Sequence, residues 1–349
     1  MLGSGLGCAS DLGLAEEFMP YSLLFDGAND HVILGGAGIA PANGTIKPLT
    51  TGLTYAAWVK YDPETPENAT KGPYFDTTTH AIINATKSGG GVLSYANTRF
   101  HALVHLIDGD GNTATLQVLG PATRMIHTAG ATEGYNYMYK ENGWHFVVMT
   151  WDGNKVLTLY VDGGTNQQGN TSGGSSTNYG SDVVSVTHGS DPSGNNPDGV
   201  NKWYINYSTV DGGGAAGSIG TDTGVLVGTG ILNSGASSGA QMMEGSIGDI
   251  AIWDVALTNS EIEALYNNHR PVDMSTTQAS NLQGYWRTKA GNGTVLEELT
   301  GNVLNTGGAA INATLESGTG WSADTPTNCL LYTSPSPRDR QKSRMPSSA

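Results

Sequence analysis

Histidine and carboxylate pairs are the residues of this chain whose spacing is compatible with metal or acid–base chemistry. His101 and His105 lie four residues apart in a strand-like pattern, so both side chains face the same side of that strand. A zinc site needs a third and a fourth ligand, and the sequence suggests none nearby. The motif His-Glu-x-x-His, typical of metalloproteases, does not occur in the sequence.

Closely spaced acidic residues occur at three further places. Glu261 and Glu263 lie in a predicted helix, and Glu297 and Glu298 lie in a predicted turn, where solvated carboxylates are the simpler interpretation. The segment 108–112, DGDGN, resembles the start of an EF-hand loop, but no Glu occupies its twelfth position, so a hairpin turn is favoured. We therefore assign no catalytic residue and expect the protein not to be an enzyme.

Two groups of aromatic residues are candidates for stacking on a sugar or a protein. They are Tyr135, Tyr137, Tyr139, Trp203, Tyr204 and Tyr207. The first three alternate along the chain, so their rings lie on one side of an extended segment; exposed they form a sugar platform, and buried they belong to the core. The other three lie in the Gly-, Ser- and Asn-rich range 164–222, which is interpreted as a long insertion, either a surface loop or a recognition arm.

Charge and hydropathy limit the classes of partner. The formal net charge is -15, and Lys and Arg do not cluster before the last twenty residues, so nucleic acid is not an expected partner. The sequence has no apolar run of about 20 residues, which argues against membrane insertion, and its start lacks the features of a signal peptide. Asp residues are frequent in Gly- and Asn-rich turns, a setting that suits Ca²⁺ as a cofactor.

The secondary-structure signals are short alternating or apolar runs bounded by Gly, Asn and Asp. The strongest is a hairpin in which strands 144–151 and 156–161 flank a turn at 152–154. One short helix is predicted at 258–267, with an N-terminal cap at Thr258 or Asn259. Regular strands with such turns predict an all-β sandwich or barrel.

Four segments, in order, resemble the laminin-G-like, concanavalin A-like jelly-roll family: SLLFDGANDHVILGG, YAAWVKYD, GWHFVVMTWDG with LTLYVDG, and GSIGDIAIWDVALTNSEIEALYN. The resemblance covers residues 21–270 and implies a two-sheet antiparallel β-sandwich, interrupted by the insertion. Residues 1–20 are then a leader, and residues 271–328 form an extension that packs on the sandwich or follows it.

The extension contains NLQGYWRTKAGNGTVLEELTGN, which is similar to a module of structural proteins of marine bacteriophages. It departs from that module in one respect. The Asp that usually precedes the turn of the module is replaced, and Glu297 and Glu298 lie before the turn in this chain. The similarity implies a virion-associated protein; the alternative location is extracellular or at a cell surface.

The jelly-roll resemblance also bears on metal binding and catalysis. Catalytic relatives such as the laminarinases carry a Glu-x-Asp-x-(x)-Glu strand, and this chain has none. Relatives often bind a Ca²⁺ ion that joins the first strand to the last, which implicates Asp26, Asp30 and Asp249 here. The alternative is that Asp26 and Asp30 form Asx-type turns and that Asp249 bonds a neighbouring loop.

The last residues, 329–349, differ abruptly in composition and begin with CLLYTSPSPRD, which resembles a translated sequencing adaptor. We interpret them as a read-through artefact of a metagenomic or library assembly; the alternative is a genuine basic tail.

These observations favour a non-catalytic, carbohydrate-binding adhesion protein of the virion. A purely architectural protein that contacts only other virion or surface proteins is the first alternative, and a glycoside hydrolase with an atypical carboxylate pair is the second. Homo-oligomerisation is left open, since the sequence has no heptad stalk.

Overall fold

The computed structural model describes residues 19–34, 52–61, 79–84, 91–96, 99–119, 143–164, 183–187, 189–194, 201–205, 225–228, 243–300 and 312–326. These residues form antiparallel β-sheets and one α-helix, as the sequence predicts, and they fall within one compact unit, Glu17–Pro326. None of the helices in these ranges has the length and apolar character needed to cross a membrane.

The strands are, in chain order, β1 (Ser22–Asp26), β2 (His31–Leu34), β3 (Leu53–Tyr61), β4 (Thr79–Asn84), β5 (Gly91–Ala96), β6 (Arg99–Ile107), β7 (Thr113–Leu119), β8 (His145–Trp151), β9 (Val156–Val161), β10 (Val183–Thr187), β11 (Tyr204–Ile205), β12 (Val225–Val227), β13 (Glu244–Trp253), β14 (Leu282–Trp286), β15 (Val295–Leu296), β16 (Ala313–Glu316) and β17 (Gly320–Ser322). The helix α1 spans Asn259–Tyr266.

The described strands assemble into two sheets. Sheet A has the order β10-β9-β8-β3-β13-β1-β17, with β14 also paired to β13. Sheet B has the order β11-β6-β5-β4-β12-β2-β16-β15, with β7 also paired to β6. All pairings are antiparallel, and inward-facing residues of both sheets share one hydrophobic core. The two-sheet antiparallel β-sandwich is therefore confirmed.

The β8–β9 hairpin shows how sheet A is built. Alternation along β8 directs Val147, Met149 and Trp151 into the core between the sheets and directs Phe146 and Val148 to the opposite face. All seven residues of β8 are buried, so both faces of this strand are covered.

A second core covers the outer face of sheet A, where Trp58 and Phe146 pack with Ile262 and Leu265 of α1. The helix begins at a capping box: the Thr258 hydroxyl accepts the backbone N–H of Glu261, and the Glu261 carboxylate accepts the backbone N–H of Thr258. Glu261 therefore has a structural role at the start of the helix.

The C-terminal strands complete both sheets. Strand β14 pairs with β13, β17 pairs with β1, and β16 pairs with β2. The sequence predicts that residues 271–328 pack on the sandwich or follow it, and in the structure the described strands of this range are hydrogen-bonded into the two sheets. The reason is that β1, β2 and β13 have edges that these later strands fill, and such long-range pairing leaves no local signal.

The range 164–222 contributes two described strands. Strand β10 pairs with β9, and β11 pairs with β6. Between them, residues 189–194 contact the turn after β6, where the Asp108 carboxylate accepts the backbone N–H and the hydroxyl of Ser193. Residues 164 and 201–203 are also described, and the rest of this predicted insertion lies outside the described residues.

Candidate functional site

Two turns meet at one end of the sandwich. The first contains acidic residues, and the second directly follows Glu316. The first joins β1 to β2, and in it Asp26 Oδ1 accepts the backbone N–H of Ala28 at 2.8 Å, which is an Asx turn. The backbone N–H of Asp26 donates in turn to Asp30 Oδ2 at 3.0 Å. The second turn, at 317–319, joins β16 to β17, and the Thr319 hydroxyl ties it to the His31 carbonyl at 3.0 Å.

One oxygen of Asp30 is buried without a hydrogen-bond partner. The residue is 5% exposed, and its Oδ1 atom accepts no hydrogen bond from any described residue. That atom faces the second turn, because a Cβ atom placed on Gly318 would lie 3.1 Å from it. Leaving a buried acceptor unsatisfied costs about 1–3 kcal/mol, and more when the group is charged, so this oxygen is a candidate ligand for a cation or a water molecule.

The charges around Asp30 are mainly negative. Burial raises the pKa of Asp30, the hydrogen bond from the Asp26 backbone lowers it, the Asp26 carboxylate raises it further, and His31 lowers it. Glu244 is the cross-strand partner of Asp26, and Glu316 is the cross-strand partner of His31. This end of the sandwich therefore favours a bound cation electrostatically.

The donor set suits a hard cation better than zinc. Within the described ranges, no three His, Cys, Asp or Glu side chains lie close enough together to hold a metal ion. A cation at Asp30 would therefore need backbone carbonyl oxygens and water beside one or two carboxylates. Ca²⁺ accepts such mixed oxygen ligands in flexible geometry, so the residues present fit Ca²⁺.

Asp249, the third predicted ligand, lies elsewhere. It follows Glu244 by five residues along β13, which is on the order of 16 Å from the Asp26 pairing position at the rise of an extended strand. A β-bulge with a φ of 36° at Asp249 directs its carboxylate towards the segment after β14. The structure thus brings Asp26 and Asp30 together and separates Asp249 from them, so the three do not form one ion site.

The Asp249 carboxylate is fully buried in a polar network. Oδ1 accepts the backbone N–H of Thr288 at 2.9 Å, Oδ2 accepts the Tyr285 hydroxyl at 3.2 Å, and Arg287 Nε lies 3.9 Å away. Burial raises the pKa of Asp249 to about 6, although these hydrogen bonds and the charge of Arg287 oppose the shift. The network anchors the residues after β14 to β13.

The predicted aromatic platform is only partly within the described residues. Tyr135, Tyr137, Tyr139 and Tyr207 lie outside them. Tyr204 lies in β11, and only its backbone pairing with β6 is described.

The structure corrects the aromatic prediction at Trp203. It is 3% exposed and packs in the core between the sheets, with its indole N–H directed at the Ser190 carbonyl at 3.4 Å. It therefore cannot stack on a ligand in this conformation. An aromatic cluster in a polar segment is compatible with either placement, which is why the sequence did not distinguish them.

Two other predicted polar groups have structural surroundings. Burial lowers the pKa of His101 to about 4, so its imidazole is neutral at physiological pH. The Glu298 carboxylate accepts the backbone N–H groups of Tyr285 and Thr300 at 3.1 and 2.8 Å. Glu298 is 6% exposed, so it is a buried structural carboxylate and not the solvated one that the sequence predicted.

Sequence reasoning missed a histidine–carboxylate pair. His145 Nδ1 lies 2.8 Å from Asp162 Oδ2, and Asp162 Oδ1 accepts the backbone N–H of Phe146 at 3.0 Å. The ring of His269 lies 6.4 Å from that of His145. The register of the β8–β9 hairpin is the signal that could have found the pair, since it places Asp162 beside the start of β8.

No protein-family model matches the chain, and no curated protein matches it. Among solved structures, it is similar to a candidate carbohydrate-binding protein from Bacteroides ovatus, with 15% identity and a TM-score of 0.45 over 88% of this chain and 60% of that one. A SAP-like pentraxin from Limulus polyphemus matches with 11% identity and a TM-score of 0.36, over 88% of this chain and 97% of that one. The binding domain of botulinum neurotoxin serotype G matches with 15% identity and a TM-score of 0.38, over 85% of this chain and 56% of that one. At these TM-scores the matches do not indicate what this chain binds.

Proposed function

We propose that this protein is a non-catalytic carbohydrate-binding protein whose adhesion is assisted by a Ca²⁺ ion at Asp30 and Asp26. The observation that carries the proposal is the buried Oδ1 atom of Asp30, which has no partner within the described ranges and lies at an acidic end of the sandwich. A cation there would remove the cost of the unsatisfied oxygen and offset the repulsion between Asp26 and Asp30.

The link from the ion to a sugar is chemical. Ca²⁺ takes six to eight oxygen ligands, including water, and the two turns supply only part of such a set. Asn29 and Ser317 are exposed on these turns, so water on the outer side of the ion is open to solvent. Sugar hydroxyl groups are oxygen ligands of the same type as the water that they would replace.

Calorimetric titration with Ca²⁺ tests the first part of the proposal. The wild-type protein is expected to bind the ion, and Asp30→Asn to lose binding because the amide carries no charge. Glu297→Gln is the matched control, since Glu297 is exposed and lies outside the two turns. Equal Ca²⁺ affinity in the wild-type protein and D30N would overturn the assignment of the site.

A glycan array with and without Ca²⁺ tests the second part. Glycan binding that needs Ca²⁺ and is lost in D30N supports the proposed function. Ca²⁺ binding without any glycan binding would instead favour the architectural alternative, in which the ion only joins the two turns. The proposed location, the virion, is tested by mass spectrometry of purified particles.

A further inference from the structure

Trp321 differs from the other tryptophans of the chain. All seven lie within the described residues, and six of them are between 0% and 6% exposed. Trp321 is partly exposed, on the edge strand β17 of sheet A, with one side of its ring packed against the core. Its indole N–H donates to the Gly293 carbonyl at 2.8 Å, so the ring is held in place and its polar edge is already satisfied.

Tyr21 lies close to Trp321. Trp321 is the cross-strand partner of Leu23, and Tyr21 precedes Leu23 by two residues, which makes it a diagonal neighbour of Trp321 on the same face. Tyr21 is also partly exposed. A Cβ atom placed on Gly291 would lie 2.5 Å from Tyr21 Cε2, so the loop that holds Trp321 also contacts the tyrosine ring.

The loop around the two rings is exposed and carries small or uncharged polar groups at its tip. Asn292, Gly293 and Thr294 are all exposed, and no atom lies within 4 Å of where a Cβ atom on Gly293 would be. We call Tyr21, Trp321 and residues 291–294 the aromatic rim. The exposed parts of the two rings lie next to hydrogen-bonding groups, an arrangement that suits the C–H groups and the hydroxyl groups of a pyranose.

We propose that the aromatic rim is a stacking subsite for a neutral pyranose of a polysaccharide. The proposal rests on the proposed function, because it assumes a carbohydrate ligand, and it adds where a sugar ring binds. The chain has a net charge of -15, which disfavours an anionic polysaccharide.

The aromatic rim lies near the cation site along the chain. Gly318, which faces Asp30 Oδ1, precedes Trp321 by three residues, a span on the order of 10 Å in an extended segment. One oligosaccharide would therefore contact the ion through its hydroxyl groups and Trp321 through a ring.

Iodide quenching of tryptophan fluorescence tests the proposal in the full chain without any substitution. Because six tryptophans are buried, the accessible fraction is expected to come from Trp321 and to disappear in Trp321→Phe. Neutral hexaoses with β-1,3 or β-1,4 linkages are the probes. A hexaose that binds is expected to protect this fraction from iodide.

Variants give an independent measure. Trp321→Ala and Tyr21→Ala are each expected to weaken hexaose binding about tenfold, while Trp321→Phe retains most of the affinity and of the packing. Leu299→Ala is the control. Leu299 is 48% exposed, like a ligand-contacting residue, but it does not belong to the aromatic rim, since its backbone N–H donates to the Tyr285 carbonyl. Near-ultraviolet circular dichroism and calorimetric Ca²⁺ binding verify that each variant is folded.

The outcomes separate the two proposals. The hexaose could bind without changing iodide access and with the same affinity in W321A and Y21A. That result would contradict the assignment of the aromatic rim as a sugar subsite, but it would not contradict the proposed function. Ca²⁺ binding with no binding of any hexaose would overturn the carbohydrate function and the rim together. Protection of Trp321, with loss of affinity in W321A and Y21A but not in L299A, supports the rim.

Discussion

Asp30 and Gly318 are 288 residues apart in the chain and in direct contact in the fold, because a Cβ atom on Gly318 would lie 3.1 Å from Asp30 Oδ1. Gly318→Ala is therefore expected to crowd that oxygen and to weaken Ca²⁺ binding. The φ of 115° at Gly318 adds backbone strain of about 1 kcal/mol or more. Urea unfolding with and without Ca²⁺ measures both effects.

Gly111→Ala is the matched control for this prediction. Gly111 has a φ of 83°, and no atom lies within 4 Å of the position that the alanine methyl group would take, so this variant reproduces the strain without the crowding. If G111A and G318A reduce the stabilisation by Ca²⁺ equally, the contact with Asp30 plays no part in ion binding.

Asp249 is expected to make the protein more stable in mild acid. Its folded-state pKa is about 6, above the ordinary value of 3.8, so the folded state binds more protons between these values. The contribution is present below about pH 4 and is lost as the pH rises through 6, with a magnitude on the order of 2–3 kcal/mol. Urea unfolding between pH 4 and 8 measures the slope.

Asp249→Asn removes this titration, so the stability of D249N is expected to rise more, or fall less, with pH than that of the wild-type protein. The lowered pKa of His101 contributes a slope of the opposite sign between about pH 4 and 6.5, and the raised pKa of Asp30 contributes one of the same sign, so the comparison of D249N with the wild-type protein isolates Asp249. Glu263→Gln, at an exposed position of α1, serves as the control and leaves the wild-type slope intact. An unchanged slope in D249N would show that the buried network does not titrate in this range.

Asp108 is expected to hold residues 189–194 against sheet B. Its carboxylate accepts hydrogen bonds from Asn112 and Ser193, and from the Asp110 backbone. Asp108→Ala should cost about 2–4 kcal/mol of unfolding free energy and increase hydrogen exchange in 189–194. Glu263→Gln, at an exposed position of α1, should do neither.

The pH dependence of Asp108 has the opposite sign to that of Asp249. Burial raises the pKa of Asp108, but the hydrogen bonds from Asn112 and Ser193 outweigh it and hold the pKa well below its usual range. Its contribution is present above the ordinary carboxyl pKa and is lost as the pH falls below it. A D108A variant as stable as the wild-type protein at pH 7 would contradict this role.

Trp203 is expected to matter for stability and not for ligand contact. Trp203→Ala should reduce the unfolding free energy by about 3–5 kcal/mol because it empties a core position, whereas Trp203→Phe should lose less. Thermal unfolding and the glycan array, run on W203F, separate the two roles. Loss of glycan binding in a W203F protein of wild-type stability would restore Trp203 as a ligand residue.

Local patterns explain what the sequence could predict of the fold. The β8–β9 hairpin follows from strict alternation around a Gly-containing turn, and α1 follows from the cap at Thr258. The pairing of β16 with β2 and of β17 with β1 joins residues almost 300 positions apart. No periodicity in either segment encodes such a partner, so the sequence could not predict which strands they pair with.

The sequence could predict those parts of the site whose residues are close together in the chain. Asp26 and Asp30 share one turn, and their proximity follows from the Asx-turn sequence. Asp249 was implicated only by the family resemblance, and in the structure a β-bulge directs its carboxylate to Tyr285 and Thr288, as in the alternative that it bonds a neighbouring loop. Trp321 was missed because a single tryptophan in a Gly-rich segment does not reveal whether its ring is buried.

The most direct test of the central claim is a crystal structure of the protein grown with Ca²⁺. We expect an anomalous peak about 2.3–2.6 Å from Asp30 Oδ1, the distance at which Ca²⁺ binds oxygen, and no such peak in D30N. A water molecule at about 2.8 Å from that oxygen, unchanged by Ca²⁺, would satisfy the buried carboxylate without an ion and would contradict the account.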